Sequence, residues 1–118
     1  MGSKRIVCSA FVILLFAAIP VLAHHSLEAA YNPHDTVKLD GIVTKVDWSN
    51  PHVHFFIDVK NAKDVVNWQV ELGSPGAQIL RGWKIDTVRP GDRVIVSAYR
   101  ARDGSNLGFA RNITKGSR

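Results

Sequence analysis

The chain has 118 residues, with 15 lysines and arginines against 10 aspartates and glutamates, for a formal net charge of +5. That length fits one small domain. The positive excess is modest and spread along the sequence, which argues against a polybasic nucleic-acid-binding tail, and a lone cysteine excludes an internal disulfide framework.

Lys4 and Arg5 open the chain, an apolar run follows from Ile6 to Ile19, and Pro20-Val21-Leu22-Ala23 comes next. A basic start, an apolar stretch and small residues at Val21 and Ala23 read as a secretory signal over residues 1–23, cleaved after Ala23. Removing 23 of the 118 residues leaves a 95-residue product that begins at His24 and is periplasmic or secreted. Lys4 and Arg5 leave with the signal, so 13 basic residues face 10 acidic ones and the net charge falls to +3. Cys8 leaves too, and the mature product has no disulfide, thiolate ligand or cysteine nucleophile. No second long apolar stretch follows, so no stable membrane span is expected after cleavage.

Residues 24–35 read as an N-terminal arm in which Leu27, Ala30 and Tyr31 cover an end of the core and Asn32-Pro33-His34-Asp35 turns the chain. The β-domain is expected over residues 36–114. Thr36 to Trp48 reads as one long strand, Val37 and Leu39 alternating with Lys38 and Asp40, with a bulge or bend at Gly41. Ser49-Asn50-Pro51 is a turn. His52 to Lys60 has the cleanest period of two, with Val53, Phe55, Ile57 and Val59 on one face and His52, His54, Phe56, Asp58 and Lys60 on the other. A polar turn at 61–64 leads into a strand over Val65 to Leu72, with Val66, Trp68, Val70 and Leu72 inward. Ser74 then caps a short helix with Pro75 at its first position. That helix carries Ala77, Ile79 and Leu80, ends near Gly82, and is too brief to persist unless it packs on the sheet. Pro90-Gly91-Asp92 turns into a strand from Arg93 to Ala101. Asp103-Gly104 is a further turn, and Leu107, Phe109 and Ile113 mark a last strand whose alternation Arg111 breaks. Residues 115–118 read as a frayed tail.

Strand, strand, strand, short helix, strand, strand is the order of a small all-β, five-stranded OB-fold-like barrel with one helix between strands 3 and 4. Closing the sheet also removes the exposed edges of a small antiparallel domain.

His24-His25-Ser26, Gly41 with Val43, Trp48-Ser49-Asn50-Pro51-His52, Trp68-Gln69-Val70-Glu71, Ser74-Pro75, Arg81-Gly82-Trp83, Pro90-Gly91-Asp92 and Ala101-Arg102-Asp103-Gly104 together resemble DUF6152, a family of small exported bacterial proteins of uncharacterised function. The resemblance implies export and a compact β-domain and carries no activity.

All five histidines follow the signal. A mature terminus at His24 offers an α-amine and an imidazole, and His25 adds a second ring; nitrogen donors of this kind suit Cu(II), Ni(II) and Zn(II), with intrinsic affinity favouring copper. His52 and His54, two apart on one strand face, can point into the same space. His24, His25, His52 and His54 therefore form a candidate Cu(II) site if the arm crosses this strand. The competing reading has His52 bonded to the backbone of the Asn50-Pro51 turn and His54 as an exposed strand residue. His34 reads as a turn residue. The mature chain has neither methionine nor cysteine, which argues against a soft Cu(I) site.

No catalytic residue is assigned. Ser74 is better explained as a helix cap than as a nucleophile, the carboxylates Asp40, Asp47, Asp58 and Glu71 are scattered over strands, and no phosphate loop, zinc-protease motif or dinucleotide fingerprint is present. An N-terminal-histidine copper oxidase is the weaker enzymatic reading, because the domain is small and nothing marks a substrate plane. The alternative to metal binding is a metal-free module that recognises an envelope protein or a small ligand. Nucleic acid is not the expected partner of an exported domain.

Overall fold

The structure, a computed structural model, describes residues 26–117. The chain divides at Ala30/Tyr31. Before that division residues 26–30 are helical; after it come β1 (Tyr31–Asp47), β2 (His54–Lys60), β3 (Val65–Glu71), a six-residue helix α1 (Pro75–Leu80), β4 (Arg93–Ala101) and β5 (Leu107–Lys115). The expected mostly-β string with one helix between the third and fourth strands is present. The strands pair in the closed order β1-β2-β3-β5-β4, all antiparallel except β3 with β5, and β4 returns to β1. Among the described residues no helix is long and apolar enough to cross a membrane.

β1 serves two neighbours, and that is why it runs for 17 residues. Thr36 to Ile42 pairs with β4, while Gly41 to Asp47 pairs with β2. The strand starts at Tyr31, five residues before the expected domain start, and the turn signal of Asn32-Pro33-His34-Asp35 survives as an irregularity inside it. Five steps of β1, from Tyr31 to Thr36, are set against two of β4, from Ala101 to Tyr99. The second irregularity falls between Val43 and Lys45, not at Gly41. Inward positions are odd up to Val43, whereas Val46 and Trp48 pack on the core from even positions. Thr44 is the extra residue that changes the phase. Gly41 answers a different constraint. A Cβ there would lie 2.5 Å from the Asp58 carbonyl oxygen, so only glycine lets β1 and β2 approach so closely.

The same device operates in β5. Ala98 pairs with Ala110 and Ser97 with Asn112, which leaves Arg111 as the extra residue. The broken alternation at Arg111 is thus a bulge, and Ile113 regains the core beyond it.

Period-two faces fill the interior. Val53, Phe55 and Ile57 from β2 and its approach, Trp68, Val70 and Leu72 from β3 and its exit, and Val94, Val96 and Ala98 from β4 are buried. Full burial of one such large apolar side chain contributes about 1.5–3 kcal/mol, enough for a few of them to set the register. Trp48 and Trp83 are partly buried against this cluster.

Ser74 caps α1 as expected, its hydroxyl accepting from the Ala77 N–H at 3.2 Å, with Pro75 opening the helix and Gly82 following at φ +88°. The face it buries is not the expected one. Gln78 is 2 % exposed, while Ile79 is 60 % and Leu80 90 % exposed. Gln78 is the residue this six-residue helix buries, and Ile79 and Leu80 after it turn outward. The carboxyl end also differs from expectation: β5 runs to Lys115, whose Nζ lies 3.3 Å from Asp92 Oδ2, and the Gly116 N–H beyond it still donates to Arg93 O at 2.9 Å.

Gly41→Ala is expected to lower unfolding free energy by about 1–3 kcal/mol, because the added carbon meets backbone that cannot rotate away. Urea denaturation followed by tryptophan fluorescence measures this, and an unchanged midpoint would disprove the close-approach role.

Candidate functional site

Strand register builds a row of side chains on the outer face. His54 of β2 stands opposite Glu71 of β3, Glu71 opposite Phe109 of β5, and Phe109 opposite Tyr99 of β4. Their strand neighbours Phe55, Val70 and Ala98 point into the core, so this row points out.

Glu71 is the hub of the row. Tyr31, the first residue of β1, donates its hydroxyl to Glu71 Oε2. His52 Nδ1 lies 2.6 Å from the other oxygen, Oε1, and His54 Nε2 lies 3.8 Å from that same oxygen. The His52 side chain is 39 % exposed and that of Glu71 18 %, so the carboxylate is largely enclosed while the rings reach solvent. Tyr31 is buried, with its ring tilted on Phe109 at 5.6 Å between centroids. Burial raises the Tyr31 phenol far above its usual range, and the hydrogen bond to Glu71 and the Glu71 charge act in the same direction. The phenol therefore stays a donor and holds the carboxylate in place.

The structure brings together two of the four predicted metal ligands. His52 sits just before β2 rather than within it, and its ring bonds the Glu71 carboxylate in place of the turn backbone. A ring whose Nδ1 faces a carboxylate carries its hydrogen there, which leaves Nε2 with the lone pair that a metal needs. His54 faces the same oxygen from β2. His24 and His25 lie outside the described residues. Among the described residues no three histidines, cysteines, aspartates or glutamates are grouped to hold a metal by themselves. His34 lies in the irregular stretch of β1, where its N–H donates to Asn32 Oδ1 at 2.9 Å, the turn role expected.

Sequence reasoning missed Glu71 and Tyr31. A hairpin turning at Asn61–Asp64 sets His54 opposite Glu71, so Glu71 was legible from the turn; Tyr31 was not, since its position depends on how β1 crosses β4. The other strand carboxylates are engaged elsewhere. Asp40 takes a two-pronged contact from Arg93, at 2.9 and 2.6 Å, and that hydrogen bonding holds it below the usual carboxylate range. Asp58 accepts from Asn67 at 2.8 Å, and Asp47 from Ser49 at 2.7 Å. Phe56, beside the histidines on the outer face, has the Lys45 ammonium 5.4 Å above its ring.

Residues 12–111 match the family of unknown function DUF6152. The chain belongs to DUF6152. A comparison with functionally curated proteins gives no match. Among solved structures, this DUF6152 chain is similar to the mitochondrial single-stranded DNA binding protein Rim1 from S. cerevisiae. One crystal form gives a TM-score of 0.52 at 14 % identity, covering 71 % of this chain and 98 % of that one. A second form gives 0.53 at 14 % identity, covering 69 % and 92 %. The likeness supports the OB-type fold expected from the element order, and at this identity it shows the fold alone.

Tyr31→Phe removes a donor from a half-enclosed carboxylate and is expected to cost about 1–2 kcal/mol at neutral pH. The sign with pH follows from the raised phenol: its stabilisation is complete below the unfolded-chain value of about 10 and is lost as pH rises beyond it. Urea unfolding between about pH 7 and 11.5 checks this: the gap between wild type and Tyr31→Phe should narrow above pH 10, and a constant gap would contradict it.

Proposed function

We propose that this DUF6152 chain is an exported, non-enzymatic OB-like barrel that binds one Cu(II) through the α-amine and ring of His24, His25, His52 and His54, with Glu71 as the carboxylate that orients His52. The observation that carries the reading is the 2.6 Å contact between His52 Nδ1 and Glu71 Oε1, with His54 on the same oxygen. Carboxylate, imidazole and metal in line is a common way to fix a ligating ring and raise its basicity. The Tyr31 hydroxyl on the second oxygen makes that carboxylate a rigid support.

Chain length supports the remaining ligands. Tyr31 contacts Glu71, and His25 is six residues earlier in the chain. The donor set is all nitrogen, the chemistry expected of Cu(II) and not of Cu(I). Export weighs against single-stranded nucleic acid, the ligand whose OB-fold grooves combine cations with stacking aromatics.

Native mass spectrometry of the protein exported from cells, titrated with Cu(II), tests the reading. A mass beginning at His24 with one retained copper is expected, together with nitrogen hyperfine structure in the electron paramagnetic resonance spectrum. Deleting His24 and His25 should abolish tight retention. His52→Ala, His54→Ala and Glu71→Gln should each weaken it by about 10–100-fold. Copper held no better by the wild type than by the deletion variant would overturn the metal reading in favour of a metal-free module. Copper held equally by the His52 and His54 variants would confine any site to the terminus.

A further inference from the structure

A second feature adjoins the far end of the histidine row, at Phe109 and Tyr99. β5 pairs with β4 from Gly108 to Lys115, but with β3 only from Leu107 to Phe109. Past Phe109, the side of β5 turned away from β4 has no strand partner among the described residues. A cavity of about 450 Å³ lies along this stretch, with residues 110–113 of β5 on one wall and Gln78 and Arg81 of α1 and its cap on another. Trp83, Tyr99 and Phe109, all half-buried, are its aromatic lining. An unpaired strand edge beside aromatic walls is the arrangement by which domains take up an extended peptide: backbone hydrogen bonds hold it, and alternate side chains enter the walls.

Charge selects the occupant. The cavity lining contains Arg81 and Arg111 and no carboxylate. Both arginines are exposed, and neither forms an ion pair among the described residues. Arg111 is the bulge residue of β5, and its guanidinium lies 5.0 Å over the Tyr99 ring, which steadies it at the rim. A bulge also twists an edge and limits how long a strand can pair with it, so the groove suits a short segment. Ile79 and Leu80 stand exposed on the other face of α1, with Ile85 66 % exposed beyond it. Apolar side chains of this size beside the groove favour a protein, whose body covers them, over a small solute.

We propose that the groove between α1 and β5 takes a short extended acidic segment of a partner protein, paired to the free edge of β5 at residues 110–113 with its carboxylates against Arg81 and Arg111. This is independent of copper.

The test is an amide-resolved NMR titration of the full exported chain with a five-residue peptide alternating valine and glutamate. Expected are shifts at the amides of residues 110–113 and at the Trp83 indole. Replacing glutamate by lysine in the peptide should weaken binding by at least about tenfold. N-methylation of alternate peptide nitrogens should abolish it. Combined Arg81→Ala and Arg111→Ala should weaken it by about fivefold or more, with an unchanged circular dichroism spectrum. No shift at residues 110–113 at millimolar peptide would overturn the proposal. Equal binding of the lysine or N-methylated peptide would do the same, as would shifts confined to the histidine face. So would a response of these amides to anionic lipid vesicles and not to the peptide.

Discussion

Three residue pairs hold this barrel shut. Gln69 with Leu107, Val70 with Gly108 and Glu71 with Phe109 form the parallel contact between β3 and β5, and the other four strand pairings are antiparallel. A parallel closure of that length is geometrically tight. Gly108, the middle residue of the β5 run, sits where a Cβ would approach the Ala98 methyl to 2.9 Å, so β5 lies this close to β4 at the closure only because it carries no side chain there. The last of the three pairs places Glu71 between His54 and Phe109. The end of the pairing at Phe109 leaves the rest of β5 open toward α1. Both functional proposals therefore descend from how briefly two strands meet.

Glu71 links closure to chemistry. A carboxylate at the end of a central strand in a small barrel is costly unless its oxygens are satisfied, and here Tyr31 and His52 take one each. Tyr31 opens the first strand and His52 precedes the second, so the start of the β-domain and the turn before β2 are fastened at one point. The outcome is a His52 ring held against a carboxylate on the outer face of the barrel.

Much of the fold was legible, and the misreadings share a cause. Inward and outward faces of β2, β3 and β4 follow directly from period-two alternation, because one-sided burial penalises any slip. The irregularities of β1 and β5 were also written in the sequence, as changes of phase: Val37, Leu39 and Val43 lie on odd positions and Val46 and Trp48 on even ones. Gly41 attracted the bulge because glycine is permissive, yet its real constraint is the Asp58 carbonyl pressed against it. Ile79 and Leu80 looked like the buried side of α1, whereas the six-residue helix buries Gln78 and leaves both exposed. Ser74 was readable as a cap because capping is local. Of the candidate site, the pairing of His52 with His54 was legible from spacing, and Glu71 from the hairpin turn that sets it opposite His54.

By itself the sequence determined a five-stranded β-domain with one capped helix, the inward faces of its strands and the positions of its turns. These depend on local conformational preference and on alternation, which operate over a few residues. Only the tertiary structure decided that Tyr31 meets Glu71 from forty residues away, that Glu71 takes the His52 ring, that α1 turns its apolar residues outward, and that β5 keeps an open edge. Each of those outcomes depends on contacts between elements far apart in the chain, and these are set by packing across the whole barrel, which no local pattern encodes.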